Sequence, residues 1–308
     1  MELLGDHLRT FKVVVESGTL ENAARELNVT PSAISQRLKS LEKQVGSVLF
    51  IRSRPIRATA SGNVLLRLAR ETELLTAEAH QQLGLHDQKA ERFEPSKICI
   101  SVNADSLASW FTPVFHGLAQ TDHIVCEILR HDEAHSTELL RSGQVMGAVT
   151  TKSTPVQGCI SVPLGVMTYR AMATPAFIEK WLPGKNPEQE FVQAPMVNFD
   201  RNDDLQLEMR RRILGRNSEP APIEHFVPDS GQYVQAVRAS MGWGMILDIQ
   251  NPQDGSLVAL NPLWESRVSL YWQRWKVPST VLDTLSALIY KAAQSAGMLR
   301  NDDLNKTY

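Results

Sequence analysis

Residues 28–42 read NVTPSAISQRLKSLE, and this stretch decides how the first part of the chain folds. Thr30 is a typical N-cap residue, and Pro31 stands in the first helical turn, where the absence of its N–H removes no intrahelical hydrogen bond. The apolar residues that follow recur every three or four positions, so they share one face of a helix. They are Ile34, Leu38, Leu41 and Val45. We therefore predict a helix from Pro31 to about Val45 that ends at Gly46.

The opposite face of this predicted helix is polar and rich in hydrogen-bonding groups. Its members are Ser32, Ser35, Gln36, Arg37 and Lys39. Gln and Arg side chains can make paired hydrogen bonds to purine edges in the major groove, Ser hydroxyls can bond to bases or phosphates, and Lys side chains suit phosphate oxygens. A face that meets only water would also be polar, so the neighbouring elements decide between the two interpretations.

Those neighbours favour DNA recognition. An apolar stripe predicts a first helix that stops at Gly18, and Thr19 begins a short second helix whose small Ala23 and Ala24 let another helix approach closely. Short helix, tight turn and longer helix form a helix-turn-helix, and the extended basic segment around Pro55 resembles a β-wing. The predicted DNA contacts are Thr30, Pro31, Ser32, Ser35, Gln36, Arg37 and Lys39 of the helix and Arg52, Arg54 and Arg57 of the wing.

Charge is distributed unevenly along the 308 residues, whose formal net charge is only −2. The window 29–60 carries a net charge of +5, so the remainder carries −7. A small basic module joined to an acidic body indicates a polyanionic partner for the first part of the chain alone.

From residue 60 to about 85 the pattern predicts one long helix with apolar residues near heptad spacing. They are Leu65, Leu68, Leu75, Ala79 and Leu83. Such a stripe predicts a second helix of another copy as its partner, and hence a dimerising linker. The alternative is that this helix packs on its own chain.

The rest of the chain shows the composition of an ordinary globular protein, with 43% hydrophobic residues and no apolar run near the ~20 residues needed to cross a membrane. The start, MELLGDHLRT, lacks a basic segment followed by an apolar one, so we expect a cytoplasmic protein. Cys99, Cys126 and Cys159 are far apart in apolar surroundings, which predicts reduced, buried thiols rather than a disulfide framework.

Beyond Pro95, apolar strands alternate with helical patterns over the whole remaining length. This alternation predicts parallel sheets with helices on both faces, arranged as two α/β lobes with a cleft between them. We expect a winged helix-turn-helix at 1–59, a linker helix at 60–86, a hinge at 87–96, a first lobe from 97–165 and 272–308, and a second lobe at 166–271. The fold class is thus α+β and multidomain.

The N-terminal residues resemble a known family. FKVVVESGTLENAARELNVTPSAISQRLKSLEKQVGSVLFIRS, followed by RATASG, is similar to the DNA-binding domain of LysR-type transcriptional regulators. That family more often places proline directly before Ala33, where this chain has Ser32, with Pro31 one step earlier. Together with VNADSLASWF, MTYRAMATPAF, FDRNDDLQ and GWGM, this variant looks most like the ArgP/LysG branch, which activates export of basic amino acids.

The resemblance covers essentially the whole chain and implies several properties. They are a two-lobed, periplasmic-binding-protein-like effector domain, a homotetramer built as a dimer of dimers, contact with RNA polymerase, and an effector such as L-lysine, L-arginine or L-histidine. It implies no catalytic residues, no metal and no cofactor. A regulator of the same family that answers to a different small anion remains an alternative.

Effector contacts are predicted at strand ends. The segment VNADSLASW runs from a strand into a helix, where free N–H groups favour a carboxylate, and acidic residues after strands suit a cationic side chain. The family's effector positions match Thr150, Thr151 and the loop of Asp200. The predicted effector residues are Asn103, Asp105, Ser106, Asp132, Thr150, Thr151, Tyr169 and Asp200. Each of these aspartates has an alternative role as a helix cap or a solvated loop residue.

The sequence HDEAH at 131–135 offers a rival from another class of protein. His131 and His135 are spaced to share a helix face and bind a metal, as in a metal-dependent hydrolase. Asp132 stands where the zinc-protease motif requires Glu, and the segment directly follows a strand. We therefore expect no metal site here.

Overall fold

The computed structural model describes residues 5–84, 95–130, 133–184, 190–215 and 221–298. Its N-terminal unit has three helices and a two-stranded antiparallel ribbon, as predicted. The helices are α1 (Asp6–Ser17), α2 (Leu20–Glu26) and α3 (Pro31–Val45), and the strands are β1 (Phe50–Ile51) and β2 (Arg57–Ala58). The winged helix-turn-helix is thus confirmed.

Local chemistry sets the helix boundaries of this unit. Gly18 and Gly46 end α1 and α3 in the left-handed conformation, at φ 73° in both cases, which costs glycine little. Thr19 and Thr30 cap α2 and α3, and the Thr30 hydroxyl accepts a hydrogen bond from the N–H of Ala33 at 3.2 Å. The apolar faces meet in one small core that includes Leu8, Phe11, Ala23, Ile34, Leu38 and Leu41.

The linker helix α4 (Ala60–Gln82) packs on its own chain along much of its length. Leu65 is buried in the core of the DNA-binding unit, and Leu74 is buried in the core of the large domain. By contrast, Leu75 is 37% exposed and Leu83 is 70% exposed. The prediction of a single stripe facing a partner was therefore wrong for Leu65, because the helix turns different faces to different neighbours along its length.

The large domain is built on one mixed sheet of seven strands. They are β3 (Ser96–Val102), β4 (Ile124–Arg130), β5 (Gly147–Thr150), β6 (Cys159–Ala173), β9 (Gly244–Leu247), β10 (Val258–Ala259) and β11 (Glu265–Trp275). Their order is β10-β6-β11-β5-β3-β4, with β9 also paired to β6. A separate parallel pair consists of β7 (Met196–Asn198) and β8 (Glu224–Phe226).

Seven helices and one short 3-10 turn complete this domain in the described residues. The helices are α5 (Ala104–Ala108), α6 (Thr112–Leu118), α7 (Glu133–Arg141), α8 (Pro175–Trp181), α9 (Leu205–Leu214), α10 (Ser230–Arg238) and α11 (Thr280–Ser295), and the turn is Asp248–Gln250. The chain does not continue as one helix from α5 into α6, because Pro113 has no N–H for the carbonyl of Ser109 and its ring clashes with that carbonyl.

Only part of the sheet is parallel. β3 pairs in parallel with β4 and β5, which confirms the first predicted βαβαβ unit. The second set does not repeat this pattern: β9, β10 and β11 all pair antiparallel with β6. The strands β6 and β11 are long enough to run through both halves of the domain, so they connect the two lobes.

The register of β6 and β11 shifts between Leu270 and Tyr271, opposite Gly165, whose φ is 117°. This irregularity lies within one residue of the lobe boundaries predicted from the sequence. The division into lobes stays a prediction, as do the limits of the hinge, much of which lies outside the described residues.

The three cysteines are free, as predicted, although only Cys159 is fully buried. Burial raises the pKa of the Cys99 and Cys126 thiols to about 12, so both stay protonated at neutral pH. Within the described part of the chain, no helix is both long enough and apolar enough to span a membrane.

Candidate nucleic-acid interface and ligand cavity

The polar face of α3 is open to solvent, as a DNA-reading helix requires. Pro31, Ser32, Gln36 and Lys39 are exposed, and Ser35 is partly exposed. Thr30, at the start of the helix, is exposed as well. The buried residues Ile34, Leu38 and Leu41 hold the other face against α1 and α2.

Arg37 is a predicted DNA contact whose charged group is engaged by another helix of the unit. Its guanidinium donates to the hydroxyl of Thr10 at 3.2 Å and pairs with the carboxylate of Asp6 at 3.5 Å. Both partners belong to α1. In this arrangement Arg37 strengthens the packing of α3 on α1 instead of pointing toward a duplex.

A groove of about 260 Å³ joins α3 to the wing. Ser35 and Lys39 line it from the helix, and Arg52 and Arg54 line it from the wing. Arg57, on the second wing strand, is exposed but lies outside this lining. The fold thus gathers cations from two separate segments beside the exposed helix face, which suits a phosphate backbone that follows the groove.

A second concavity lies in the large domain, with a volume of about 670 Å³. Five predicted residues line it, and they come from four separate segments of the chain. They are Asn103, Asp105, Thr151, Tyr169 and Asp200. Sequence segments nearly 100 residues apart therefore meet in one cavity between the lobes.

Two other predicted residues, Ser106 and Thr150, do not line this cavity. Ser106 and Thr150 are fully buried behind it, and their polar groups are used internally. The N–H of Ser106 donates to Asn103 Oδ1 at 2.9 Å, and the hydroxyl of Thr150 accepts from the N–H of Lys152 at 3.2 Å. The N–H at the start of α5 that was expected to bind a carboxylate is thus already occupied. Asp132 lies outside the described residues.

The cavity is strongly acidic, more than the sequence analysis predicted. Asp203, Asp204 and Glu208 line it in addition to Asp105 and Asp200, and among the described residues Lys152 is the single cation of the lining. Asp203 lies just before α9, and its Oδ1 accepts from the N–H of Leu205 at 3.0 Å. Burial, and then the nearby Asp105, Asp200 and Asp204, raise the pKa of Asp203 to about 6, although the hydrogen bond from Leu205 lowers it.

Asp105 differs from the other carboxylates because it already accepts hydrogen bonds from two side chains distant in the sequence. Tyr169 donates its hydroxyl to Asp105 Oδ2 at 2.7 Å, and Ser230 donates to Oδ1 at 2.7 Å. The Ser230 hydroxyl in turn accepts from Gln250 at 3.0 Å. The bond from Ser230 holds the start of α5 against the start of α10.

The sequence carried a signal for the missed acids. The segment FDRNDDLQLE, residues 199–208, holds four carboxylates in ten positions. Asp203 and Asp204 immediately precede a helix, where aspartate is a common capping residue, so the pattern alone does not distinguish a cap from a ligand contact. Lys152 and Glu208 gave no signal, because only the folded chain brings them to the same cavity.

The HDEAH segment gains no support as a metal site. His131 and Asp132 lie outside the described residues, as does the side chain of His135. Among the side chains that the structure does describe, no cluster of three or more His, Cys, Asp or Glu is suited to hold a metal ion.

A winged helix-turn-helix, a linker helix and a two-lobed domain with an acidic cavity together define a class: transcription regulators that bind DNA at one end and a small molecule at the other. Residues 6–63 match the family described as bacterial regulatory helix-turn-helix protein, lysR family. The chain belongs to this family of LysR-type transcriptional regulators.

Known relatives cover nearly the whole molecule. The HTH-type transcriptional regulator LysG of Mycobacterium tuberculosis is 40% identical over 295 residues, which is 95% of this chain and 94% of the relative. The crystal structure of ArgP from the same organism has a TM-score of 0.85 at 39% identity and covers 96% of this chain and 98% of its own. Full-length LysG from Corynebacterium glutamicum with bound effector Arg has a TM-score of 0.77 at 34% identity, covering 94% and 97%.

Proposed function

We propose that this regulator senses a basic amino acid, with L-arginine as the best-supported ligand, and controls a gene for export of such amino acids. The observation that carries the proposal is the set of five carboxylates around one cavity, Asp105, Asp200, Asp203, Asp204 and Glu208. The arginine bound to the Corynebacterium relative supports the same ligand class. A small anion as the effector would be repelled by this acidic lining, in which Lys152 is the one cation that the described residues provide.

The charges of the lining suggest how the ligand lies. We place its cationic side chain against Asp203, Asp204 and Glu208, because Asp105 already accepts two hydrogen bonds from protein hydroxyls. We place its carboxylate at Lys152, which stands on the other lobe. A ligand held at both ends would bridge the lobes, and it would shift their relative position only if it binds the two arrangements with different affinity.

Calorimetric titration of the full-length protein tests the ligand assignment. L-arginine and L-lysine should bind, with L-histidine weaker at neutral pH because its ring is mostly uncharged. Citrulline has the shape of arginine without its charge, and agmatine has the charge without the carboxylate, so both should bind at least about tenfold more weakly. Absence of binding by all three basic amino acids would reject the proposal, and binding of citrulline equal to that of arginine would remove the role of the acids.

For the DNA end, we propose that Ser32, Ser35 and Gln36 contact bases from α3, with Thr30 and Pro31 beside them. Lys39, Arg52, Arg54 and Arg57 then neutralise phosphates. The exposure of these side chains on one side of the unit supports this assignment. Arg37 is left out while it is paired with Asp6.

Gln36→Ala should weaken specific operator binding by about 1–3 kcal/mol, because a paired hydrogen bond to a purine edge is lost. Binding to unrelated DNA should change little. The measurement is a pair of titrations, one with an operator selected by the protein from random duplexes and one with a scrambled duplex. Gln44→Ala, an exposed glutamine near the end of the same helix, is the matched control. Equal losses on both duplexes would contradict a base-reading role.

Arg52→Ala should reduce the slope of log affinity against log salt concentration by about 1, since one phosphate contact no longer releases a counterion. Titrations of the scrambled duplex at several salt concentrations measure this slope. Arg238→Ala removes an exposed arginine from the large domain and should leave it unchanged. A wild-type slope for Arg52→Ala would show that the wing residue does not touch phosphate.

We also propose a cytoplasmic homotetramer in which copies pair through the exposed part of α4 and which contacts RNA polymerase at the promoter. The support for pairing is the apolar surface that α4 leaves open, with Val64 at 69%, Leu75 at 37% and Leu83 at 70% exposure. These positions lie on one side of the helix, as a helix-helix contact requires. Analytical ultracentrifugation of a Leu83→Glu variant tests the pairing, and an unchanged tetramer would contradict it.

A further inference from the structure

The linker helix meets the large domain at a contact centred on Arg67. The guanidinium of Arg67 donates from Nη1 to the carbonyl of Gln157 at 2.9 Å and from Nη2 to the carbonyl of Gly158 at 2.7 Å. Its carbon lies 5.3 Å from the ring centre of the buried Trp275. Glu71 accepts from Nε at 2.8 Å and fixes the plane of the group. Every edge of this side chain is therefore engaged.

Two glycines make room for this contact. Gly143 and Gly158 have φ values of 74° and 76°, a conformation that other residues adopt only under strain. A Cβ atom at Gly143 would lie 2.8 Å from the Cβ of Arg67, and one at Gly158 would lie 2.7 Å from its Nη2. The backbone of the large domain is thus shaped to receive α4 at this residue.

The contact lies at one end of the two strands that reach the ligand cavity at their other end. Gly158 directly precedes β6, and Trp275 is the last residue of β11. The carbonyl of Gly158 also accepts from the N–H of Lys276 at 3.0 Å, which ties the start of β6 to the end of β11. Farther along the same pair, Tyr169 of β6 and Val268 of β11 line the cavity. The strand pair thus runs from the cavity to the contact across the register shift at Gly165, where a change in the relative position of the lobes would be felt at the strand ends.

On its other side, α4 is joined to the DNA-binding unit. Arg70, one position before Glu71, donates to the carbonyl of Gly143. It also donates from Nε and Nη2 to the carboxylate of Glu16 on α1, at 3.0 and 2.8 Å respectively. Leu65 and Leu66 of the same helix are buried in the core that α1 and α3 share. A tilt of α4 therefore carries α1 and the DNA-reading helix with it.

We propose that Arg67 is the contact that couples occupation of the ligand cavity to the orientation of the DNA-binding unit. The proposal rests on the function proposed above and adds a residue to it that touches neither ligand nor DNA. Two hydrogen bonds and a ring contact together tolerate only a small range of positions of the Arg67 guanidinium. A small shift of the ends of β6 and β11 therefore either moves α4 with them or breaks the contact. Ligand binding would favour one of two positions of α4 relative to the large domain.

The test compares wild type with Arg67→Ala and Arg67→Lys in two measurements. Calorimetry gives the affinity for L-arginine, which should stay within about threefold of wild type because Arg67 lies outside the cavity. Energy transfer between dyes at the two ends of a selected operator gives the change in DNA bend on adding saturating L-arginine. We expect Arg67→Ala to lose more than about half of that change and Arg67→Lys, which keeps the charge but not the paired bonds, to fall between.

Control experiments distinguish a loss of coupling from misfolding of the variant and from failure of the proposed function. Arg141→Ala removes an exposed arginine that likewise pairs with a glutamate on its own helix, and its response should equal that of wild type. If Arg67→Ala does not fold, Arg67→Lys decides alone. Wild type that binds no arginine would refute the proposed function. Wild type that binds arginine without changing the bend, or either Arg67 variant with a full response, would overturn the coupling role.

Discussion

Asp203→Asn is expected to weaken the binding of L-arginine by about 10- to 100-fold at pH 7.5. A hydrogen bond to a charged partner contributes about 1.5–3 kcal/mol, and each 1.4 kcal/mol is a factor of ten. Asn keeps the size of the side chain and an oxygen that can accept from the N–H of Leu205, so the start of α9 should remain intact. The loss therefore reports the missing charge.

The pH dependence of arginine binding gives the same prediction a second readout. The pKa of Asp203 is raised to about 6, chiefly by burial and then by Asp105, Asp200 and Asp204. A cationic ligand prefers the ionised carboxylate, so the affinity should be highest above this pKa and fall as pH is lowered through about 6. In Asp203→Asn the part of the decline that comes from this carboxyl group should disappear.

The raised pKa of Asp203 also affects the stability of the ligand-free protein. In the unfolded chain this carboxyl ionises near its ordinary value of 3.8, whereas in the folded protein it holds its proton up to about pH 6. The stabilisation from the protonated form is therefore present below the unfolded value and is lost as pH rises through the folded one. We expect Asp203→Asn to raise the melting temperature at pH 7.5 and to reduce the further rise that arginine produces in wild type.

Glu179→Gln is the matched control for these experiments. It removes one negative charge from an exposed position of α8 in the same lobe, outside the cavity lining. Its arginine affinity and pH profile should match wild type. If Asp203→Asn bound arginine as tightly as this control, the guanidinium would not lie where we place it.

Glu78→Ala is expected to destabilise the protein by about 2–4 kcal/mol, the largest loss we predict for a single change outside the apolar core. Glu78 is only 5% exposed although it is a carboxylate on the linker helix. Its Oε1 accepts from the hydroxyl of Ser279 at 2.5 Å and from the N–H of Val281 at 3.1 Å, and its Oε2 accepts from the N–H of Thr280 at 3.2 Å. The alanine variant leaves these buried donors unpaired at the start of α11.

Urea unfolding of the full-length chain measures this loss, and two further variants assign its cause. Glu78→Gln keeps the shape and an acceptor oxygen but removes the charge that favours a helix N-terminus, so it should lose less than Glu78→Ala. Gln81→Ala changes an exposed residue one turn later on α4 and should be neutral within about 0.5 kcal/mol. Unchanged stability in Glu78→Ala would mean that α4 is not held on the large domain through α11.

The DNA-binding unit could be predicted closely from the sequence, because its determinants are local. Thr19 and Thr30 cap helices, Gly18 and Gly46 end them, and the apolar spacing of α3 fixes which face is buried. Each of these signals acts within a few residues of the structure it specifies. Arg37 is the instructive exception, since its contacts with Asp6 and Thr10 depend on how α1 and α3 cross.

The linker helix and the cavity were predicted less completely, because their partners are distant in the sequence. The apolar pattern of the linker helix selects Leu65 but not Leu74, and it does not show that Leu65 joins the DNA-binding core and Leu74 the large domain. In the same way, nothing near Lys152 indicates that it faces the acids of the 200–208 segment. The packing of the helix and the lining of the cavity both depend on how distant segments come together in the fold, and hydrophobic periodicity does not report that arrangement.

A crystal structure of the full-length protein with L-arginine tests the central claim most directly. The account predicts one arginine in the cavity, with its guanidinium about 2.7–3.0 Å from oxygens of Asp203 and of Asp204 or Glu208 and its carboxylate paired with Lys152. Arginine bound outside this cavity, or bound in it with the guanidinium away from all three acids, would contradict the account.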